Sequence, residues 1–208
     1  MIKKQATKQA ILNASMHFVC RYGLSAITIG EVAKLTNMSR TGVISHFQNK
    51  ADMQIAILRH CEDIFISQVV KPSLAIDPLD NLRRYFDNWM NWVYKLTKLK
   101  SMSCPFIKAV AEFQDQETSS VKTVIIEQQQ RTFDYIASLF ERCQNEGIFN
   151  LDLCPKNAAQ ACYGHYLSHN IAKNLLKNPN ADTTFQQAIN QVIEKSISHK
   201  YMLDRRTL

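Results

Sequence analysis

Residues 28–50 read TIGEVAKLTNMSRTGVISHFQNK, and the spacing within this stretch predicts two short helices joined by a tight turn. Thr28 is placed to cap the first helix. Its hydroxyl can accept from the amides that open a helix, and Glu31 three residues later completes a capping box. Ile29, Val32 and Ala33 then share one side at i, i+3, i+4 spacing. Asn37 tolerates the left-handed conformation that ends a helix and turns the chain sharply. Met38 is positioned to plug the corner, and Ser39 to cap the second helix. That second helix is expected to bury Val43 and Phe47 and to leave Arg40, Thr41, Ser45 and His46 outward. Such a unit, with a small polar and cationic outer face, is the kind that enters a DNA major groove. The plain alternative is a helical hairpin inside a core.

Charge supports the groove. The chain has 208 residues and a net charge of +7, with 46% hydrophobic side chains, enough to build a core of one or two domains. Residues 1–50 hold Lys3, Lys4, Lys8, Arg21, Lys34, Arg40 and Lys50 against the single acid Glu31, so +6 of the excess lies there. The remaining residues carry +1. Phosphate neutralisation with counterion release is the obvious use of such a segment. Only 5 Gly and 5 Pro leave little turn punctuation, which favours an all-α fold over a many-stranded sheet.

The start of the chain does not read as a secretion signal. Asn13, Ser15 and His17 interrupt the apolar run that should follow Lys3 and Lys4. No stretch approaches a membrane span. Six cysteines at 20, 61, 104, 143, 154 and 162 are therefore expected to be reduced thiols in a cytoplasmic protein.

Residues 4–22 predict a first helix, with Ile11, Ala14, Phe18 and Tyr22 at helical spacing and Gly23 ending it. Here a wider resemblance emerges. The run ILNASMHFVCRYGLSAITIGEVAKLTNMSRTGVISHFQNKADM resembles the DNA-binding region of the tetracycline-repressor (TetR) family of bacterial regulators over about residues 8–53. It carries the Ile-Leu-x-Ala start, Phe18, Gly23, Thr28, Val32-Ala33, Ser39, His46-Phe47 and Lys50. The resemblance implies a DNA-binding domain at residues 1–50 and a helical ligand-binding and dimerisation domain at 51–208. It implies base-edge positions at Arg40, Thr41, Gly42 and Ser45, and phosphate positions at Thr28, His46 and Lys50. The chemistry agrees, since arginine can bond a guanine edge bidentately and lysine acts as a phosphate point charge. Two departures stand out. The family usually has glycine where this chain has Asn37, and often tyrosine where it has Ile44. Isoleucine cannot hydrogen-bond a phosphate, so Ile44 either touches a thymine methyl or packs inward.

Further along, a helix is expected over 50–70, stopped by Lys71-Pro72, with Met53, Ala56, Ile57, Phe65 and Val69 inward. Asp77-Pro78 opens the next. Its aromatics Tyr85, Phe86, Trp89, Trp92 and Tyr94 are too dense for one stripe, so more than one side should be buried. Helices are also expected from Pro105, from Ser119 to Glu146, from Pro155 to Lys177, and from Thr183 toward Lys200. Ala158, Ala161, Gly164 and Ser168 form a strip of small residues permitting close approach of another helix. Packing within one chain is the alternative, and the family resemblance favours a homodimer, with His165, Ile189 and Val192 joining that interface.

No catalytic signature is present: no phosphate loop, no G-x-S-x-G and no H-E-x-x-H, so no enzyme activity and no cofactor is expected. Cys162, His165 and His169 share a helix face at metal-like spacing. They lack a fourth ligand, and packed interface histidines are the commoner reading. Cys104, at a helix start, raises a redox alternative against a buried inert thiol. The resemblance further implies a largely apolar effector pocket among Phe86, Trp89, Trp92, Phe106, Val110, Phe113 and Tyr135. Together these expectations describe a homodimeric repressor released from a pseudo-palindromic DNA operator by a small molecule. A DNA-binding dimer without such a ligand is the first alternative, and a redox- or metal-responsive regulator the second.

Overall fold

The computed structural model describes residues 2–98 and 102–204, the side chains of residues 2, 3 and 204 excepted, so that Lys3 of the basic segment lies outside the described side chains. Among the described residues the chain is helical, with an isolated antiparallel bridge between Phe149 and Ile197. The helices are α1 (Ile2–Tyr22), α2 (Ile29–Thr36), α3 (Arg40–Ile44), α4 (Lys50–Phe65), α5 (Lys71–Ser73), α6 (Pro78–Thr97), α7 (Pro105–Phe113), α8 (Ser120–Asn145), α9 (Pro155–Asn174), α10 (Ala181–Ser196) and α11 (His199–Asp204). None of them is long and apolar enough to cross a membrane. Contacts divide the chain elsewhere than at residue 50: Met1–Phe65 with Thr97–Gln128 make one compact unit, and Ile66–Leu96 with Gln129–Leu208 the other.

In the first unit α1 supplies Ile11, Met16, Val19 and Cys20 to a core completed by Leu24, Ile27 and Val32, and by Met53, Ile57 and Cys61 of α4. Full burial of each such aliphatic side chain stabilises by about 1.5–3 kcal/mol relative to leaving it in water. Polar bonds fix the register. His60 meets Asn13 Oδ1 at 2.7 Å, and the buried Gln54 amide donates to the Leu24 carbonyl at 2.8 Å.

Lys71-Pro72 does not stop the fourth helix as expected. The chain widens into a π turn over Ile66–Val70 and carries on through α5. Proline has no amide for the carbonyl four residues back, and its ring would press on it, so a local change of register accommodates Pro72. The helix expected to run from Thr183 toward Lys200 is also divided. It ends at Ser196, where Asn150 N donates to Ser196 O and Ser198 N to Ile148 O, each at 2.8 Å, before α11 begins.

The second unit is built around α6. Tyr85, Phe86, Trp89 and Trp92 are buried, whereas Tyr94 is 43% exposed and is not part of the core expected for this helix. Trp89 stacks on Tyr166 with ring centroids 4.2 Å apart, and Trp92 Nε1 donates to the Tyr166 hydroxyl at 3.1 Å. Asp77 Oδ1 accepts from Leu79 N and Asp80 N at 2.7 and 3.0 Å, capping α6 ahead of Pro78.

Candidate nucleic-acid interface

The geometry of residues 28–50 follows from local chemistry. Thr28 is extended (φ −132°, ψ 160°), and its Oγ1 accepts from Glu31 N at 3.1 Å. The Glu31 carboxylate takes Lys34 Nζ at 2.9 Å. Asn37 occupies the left-handed region at φ 53°, ψ 41°, and Met38 N closes the turn onto Ala33 O at 3.0 Å. Ser39 Oγ accepts from Gly42 N at 3.0 Å and opens α3. A Cβ at Gly42 would sit 3.2 Å from that hydroxyl and 3.3 Å from Met38 Cε, so the cap and the corner methionine close tightly over the glycine.

The second helix is shorter than its pattern suggested. It ends at Ile44, and Phe47 reaches the core from the turn beyond it. Val43 and Phe47 are buried, His46 is half-buried, and Arg40, Thr41, Ile44 and Ser45 are exposed. Ile44 therefore points outward. Ser45 Oγ donates to Gly42 O at 2.7 Å, which commits its proton and leaves its lone pairs to accept. The Arg40 guanidinium lies back over the first turn of α2, with Nη2 3.4 Å from where a Gly30 Cβ would be. A methyl there would meet the guanidinium at no more than ordinary van der Waals contact. A guanidinium and the Thr28 hydroxyl thus sit together beside the open amides of α2, a chemistry suited to a phosphate oxygen. Swung outward on its stem, the same guanidinium can reach a guanine edge.

The cationic surroundings extend to α1. Lys8 Nζ lies 5.3 Å above the Phe47 ring. Burial, and then the nearby Lys4 and Lys8, push the His46 imidazole below its ordinary value. Lys50, expected at a phosphate, donates to Ser25 O at 2.9 Å. Two residues of α7 that the sequence did not flag hold the same loop. Lys108 Nζ donates to Arg21 O at 2.6 Å, and Glu112 Oε2 accepts from Ser25 N at 2.8 Å. Gly23, at φ 92°, makes this possible: a Cβ there would land on the Glu112 carboxylate. The partners lie 87 positions apart, and no local pattern connects them.

The remaining candidates are placed as follows. Phe86, Trp89 and Trp92 are buried and Tyr135 half-buried in the second unit; Phe113 is buried and Phe106 and Val110 half-buried in the first. A cavity of about 280 Å³ lies between α6 and α10, with Phe86, Phe185 and Ile189 against Arg83, Asp87, Gln186 and Asn190. Phe86 is the member of the expected lining that borders it. On α9, Ala161, Gly164 and Ser168 are exposed and His165 half-buried, whereas Ala158 is buried; on α10, Ile189 is buried and Val192 half-buried. Leu167, Ile171 and Leu175 extend the exposed face of α9.

Cys162 and His169 are buried, and His169 Nε2 meets Asp182 Oδ1 at 2.7 Å, with Lys173 Nζ at 2.7 Å on the same oxygen. Among the described residues no three side chains gather in a way that could hold a metal ion. None of the six cysteines is in a disulfide, and all but Cys154 are buried. Cys104 packs near Cys20 and Cys61; burial first, then the Cys104 thiol, push Cys20 up to about 12, and burial raises Cys61 as well. Thiols so disfavoured as thiolates are poor nucleophiles.

Residues 78–189 match the family described as Tetracyclin repressor-like, C-terminal domain. The chain belongs to the TetR family of transcriptional regulators. TetR-family regulators are non-enzymatic DNA-binding regulators. The HTH-type transcriptional regulator RutR of Escherichia coli K12 is 28% identical over 80 residues, 38% of each chain, so the match spans about two fifths of that relative's length. A TetR-family regulator from Cytophaga hutchinsonii superposes with a TM-score of 0.81 at 15% identity, over 94% of this chain and 96% of that one. AibR, solved in complex with isovaleryl coenzyme A and operator DNA, superposes with a TM-score of 0.64 at 18% identity, over 92% and 98%. At these identities the structural likeness speaks for the fold.

Proposed function

We propose that this TetR-family regulator is a cytoplasmic, homodimeric repressor that holds a pseudo-palindromic operator and lets go of it when a small molecule binds. In this reading residues 1–50 read DNA, and residues 51–208 bind the effector and dimerise. The observation that carries it is the capped motif of α2 and α3. It presents Arg40, Thr41, Ile44 and Ser45 outward from a segment with nearly all the net charge. One short helix reads few base pairs, and pairing two of them on related half-sites supplies the missing specificity. The small residues of α9, flanked by exposed Leu167 and Ile171, suit a partner helix.

The cavity beside Phe86 is the site we assign to the effector. An aromatic floor with Arg83 and Asp87 at its wall suits a molecule with an apolar body and a charged group, as distinct from a purely apolar one. Release is then a population shift: the effector binds more tightly to a conformation whose heads no longer match successive grooves. The tight stacking of Trp89 on Tyr166 favours the rival in which no small molecule acts, since aromatic side chains already fill that interior.

Selection from a random duplex pool, followed by sequencing, tests the DNA reading. It should recover a pseudo-palindrome, and Arg40→Ala should weaken binding to it by about 10- to 100-fold. No enrichment above salt-sensitive background would contradict it. A compound screen on the recovered operator separates the two readings of the effector: a hit whose action is lost in Arg83→Ala supports the cavity, and a screen that alters nothing supports the rival.

A further inference from the structure

Ile44 is 55% exposed in the middle of a face otherwise made of two hydroxyls and one guanidinium. Its neighbours Val43 and Phe47, at 0% and 3% exposure, take the core, so the phase of the helix turns Ile44 away from it. Exposure of a single aliphatic side chain is ordinary and decides nothing by itself. The chemistry around it decides more. The outward groups of α3 and its C-terminal cap are Arg40, Thr41, Ile44 and Ser45. None is an amide able to pair with adenine N6 and N7, and none is a carboxylate able to accept from cytosine N4. The Ser45 proton is already given to Gly42 O. The Thr41 and Ser45 hydroxyls can accept from adenine N6 and cytosine N4 alike, so what distinguishes an A·T pair to such a face is the thymine C5 methyl, and Ile44 is the largest apolar group available to touch it.

We propose that Ile44 reads a thymine methyl in the major groove and so fixes one A·T pair in each half-site. The inference rests on the reading above, in which α3 enters the groove. Because isoleucine bonds no phosphate, this contact adds sequence discrimination without adding to the salt dependence of binding.

The test uses the full-length protein and the selected operator, with symmetric pairs of thymines replaced in turn by deoxyuridine, which lacks only the methyl. One symmetric pair should matter. Its replacement should weaken binding about fourfold per half-site, the worth of one buried methyl group. Ile44→Ala should bind the thymine and deoxyuridine duplexes equally, with an unchanged salt slope. The thymine-to-deoxyuridine ratio is measured within each variant, so a loss of folded protein does not imitate the effect. Should Ile44→Ala not fold, Ile44→Val should lower the ratio part-way. A ratio of one at every thymine in the wild-type protein overturns the inference, as does a ratio that persists in Ile44→Ala, which would move the contact to the Thr41 methyl. Recovery of an operator with no methyl sensitivity sinks Ile44 alone; failure to recover any operator sinks the groove reading along with it.

Discussion

Single residues set the geometry of the loop between α1 and α2 and of the turn that follows α2. Gly23 combines a positive φ of 92° with the close approach of Glu112, so a side chain there meets two penalties at once. Gly23→Ala should lower unfolding free energy by about 1–2 kcal/mol from the backbone alone, and by more because Glu112 must leave Ser25 N. In the Gly23→Ala/Glu112→Ala pair the costs should fall short of additive, as expected for residues in contact. Urea midpoints read this, and strict additivity would show the two to be independent. Asn37 is the opposite case. It already sits at φ 53°, so Asn37→Gly should be neutral or mildly stabilising, whereas Asn37→Val should cost about 1 kcal/mol or more. The Asn37 turn was legible because its signal is local: an asparagine between two capped helices. The hold of Lys108 and Glu112 on residues 21–25 was not. Neither residue has a sequence neighbour that gives it away, and only the packing of α7 against α1 brings them to the loop.

At the scale of elements, the pairing of α9 with α10 depends on a polar cluster in an otherwise apolar seam. His169 is buried against Phe185 and bonded to Asp182, which also takes Lys173. Burial pushes the His169 imidazole down, with Asp182 pulling partly the other way. Burial would raise the Asp182 carboxyl, but the bonds from His169 and Lys173 outweigh it and leave that group low. A histidine whose folded value lies below its ordinary 6.5 stabilises the fold fully above that pH, and the contribution is lost as pH falls through the lowered value. His60, lowered first by its burial against α1, acts in the same direction. The urea midpoint should therefore drop between pH 7 and pH 5, and His169→Asn should flatten part of that slope. A midpoint constant over this range would contradict the assignment. Sequence spacing placed Cys162, His165 and His169 on one face, yet could not show that His169 turns to Asp182 on the next helix. In the same way, periodicity gave helix α4 correctly but not its π turn. The widening lies over Ile66–Val70, upstream of the proline that ended the expected helix.

At the scale of the whole molecule, two features of the sequence carried the reading: the +6 charge of the first 50 residues and the aromatic density of α6. The first marks where the proposed phosphate contacts lie, and the second marks a helix buried on several sides. In the proposed dimer, the exposed face of α9 is the surface that a second copy covers. Ile171→Glu with Leu175→Glu should convert a dimer to a monomer in sedimentation while leaving the helical circular dichroism unchanged. Operator affinity should then fall to that of a single reading head, a loss of at least about 100-fold, since each head alone retains little more than non-specific binding.

The central claim is that two identical heads read one operator at a fixed separation. The most direct measurement is the affinity of the wild-type protein for its selected operator with five base pairs inserted between the half-sites. Such an insertion turns one half-site roughly half a helical turn away from the other. Affinity should collapse to that of a scrambled duplex at the same salt concentration, with two chains bound per intact operator. Unchanged affinity on the lengthened site, or one chain per operator, would contradict the account.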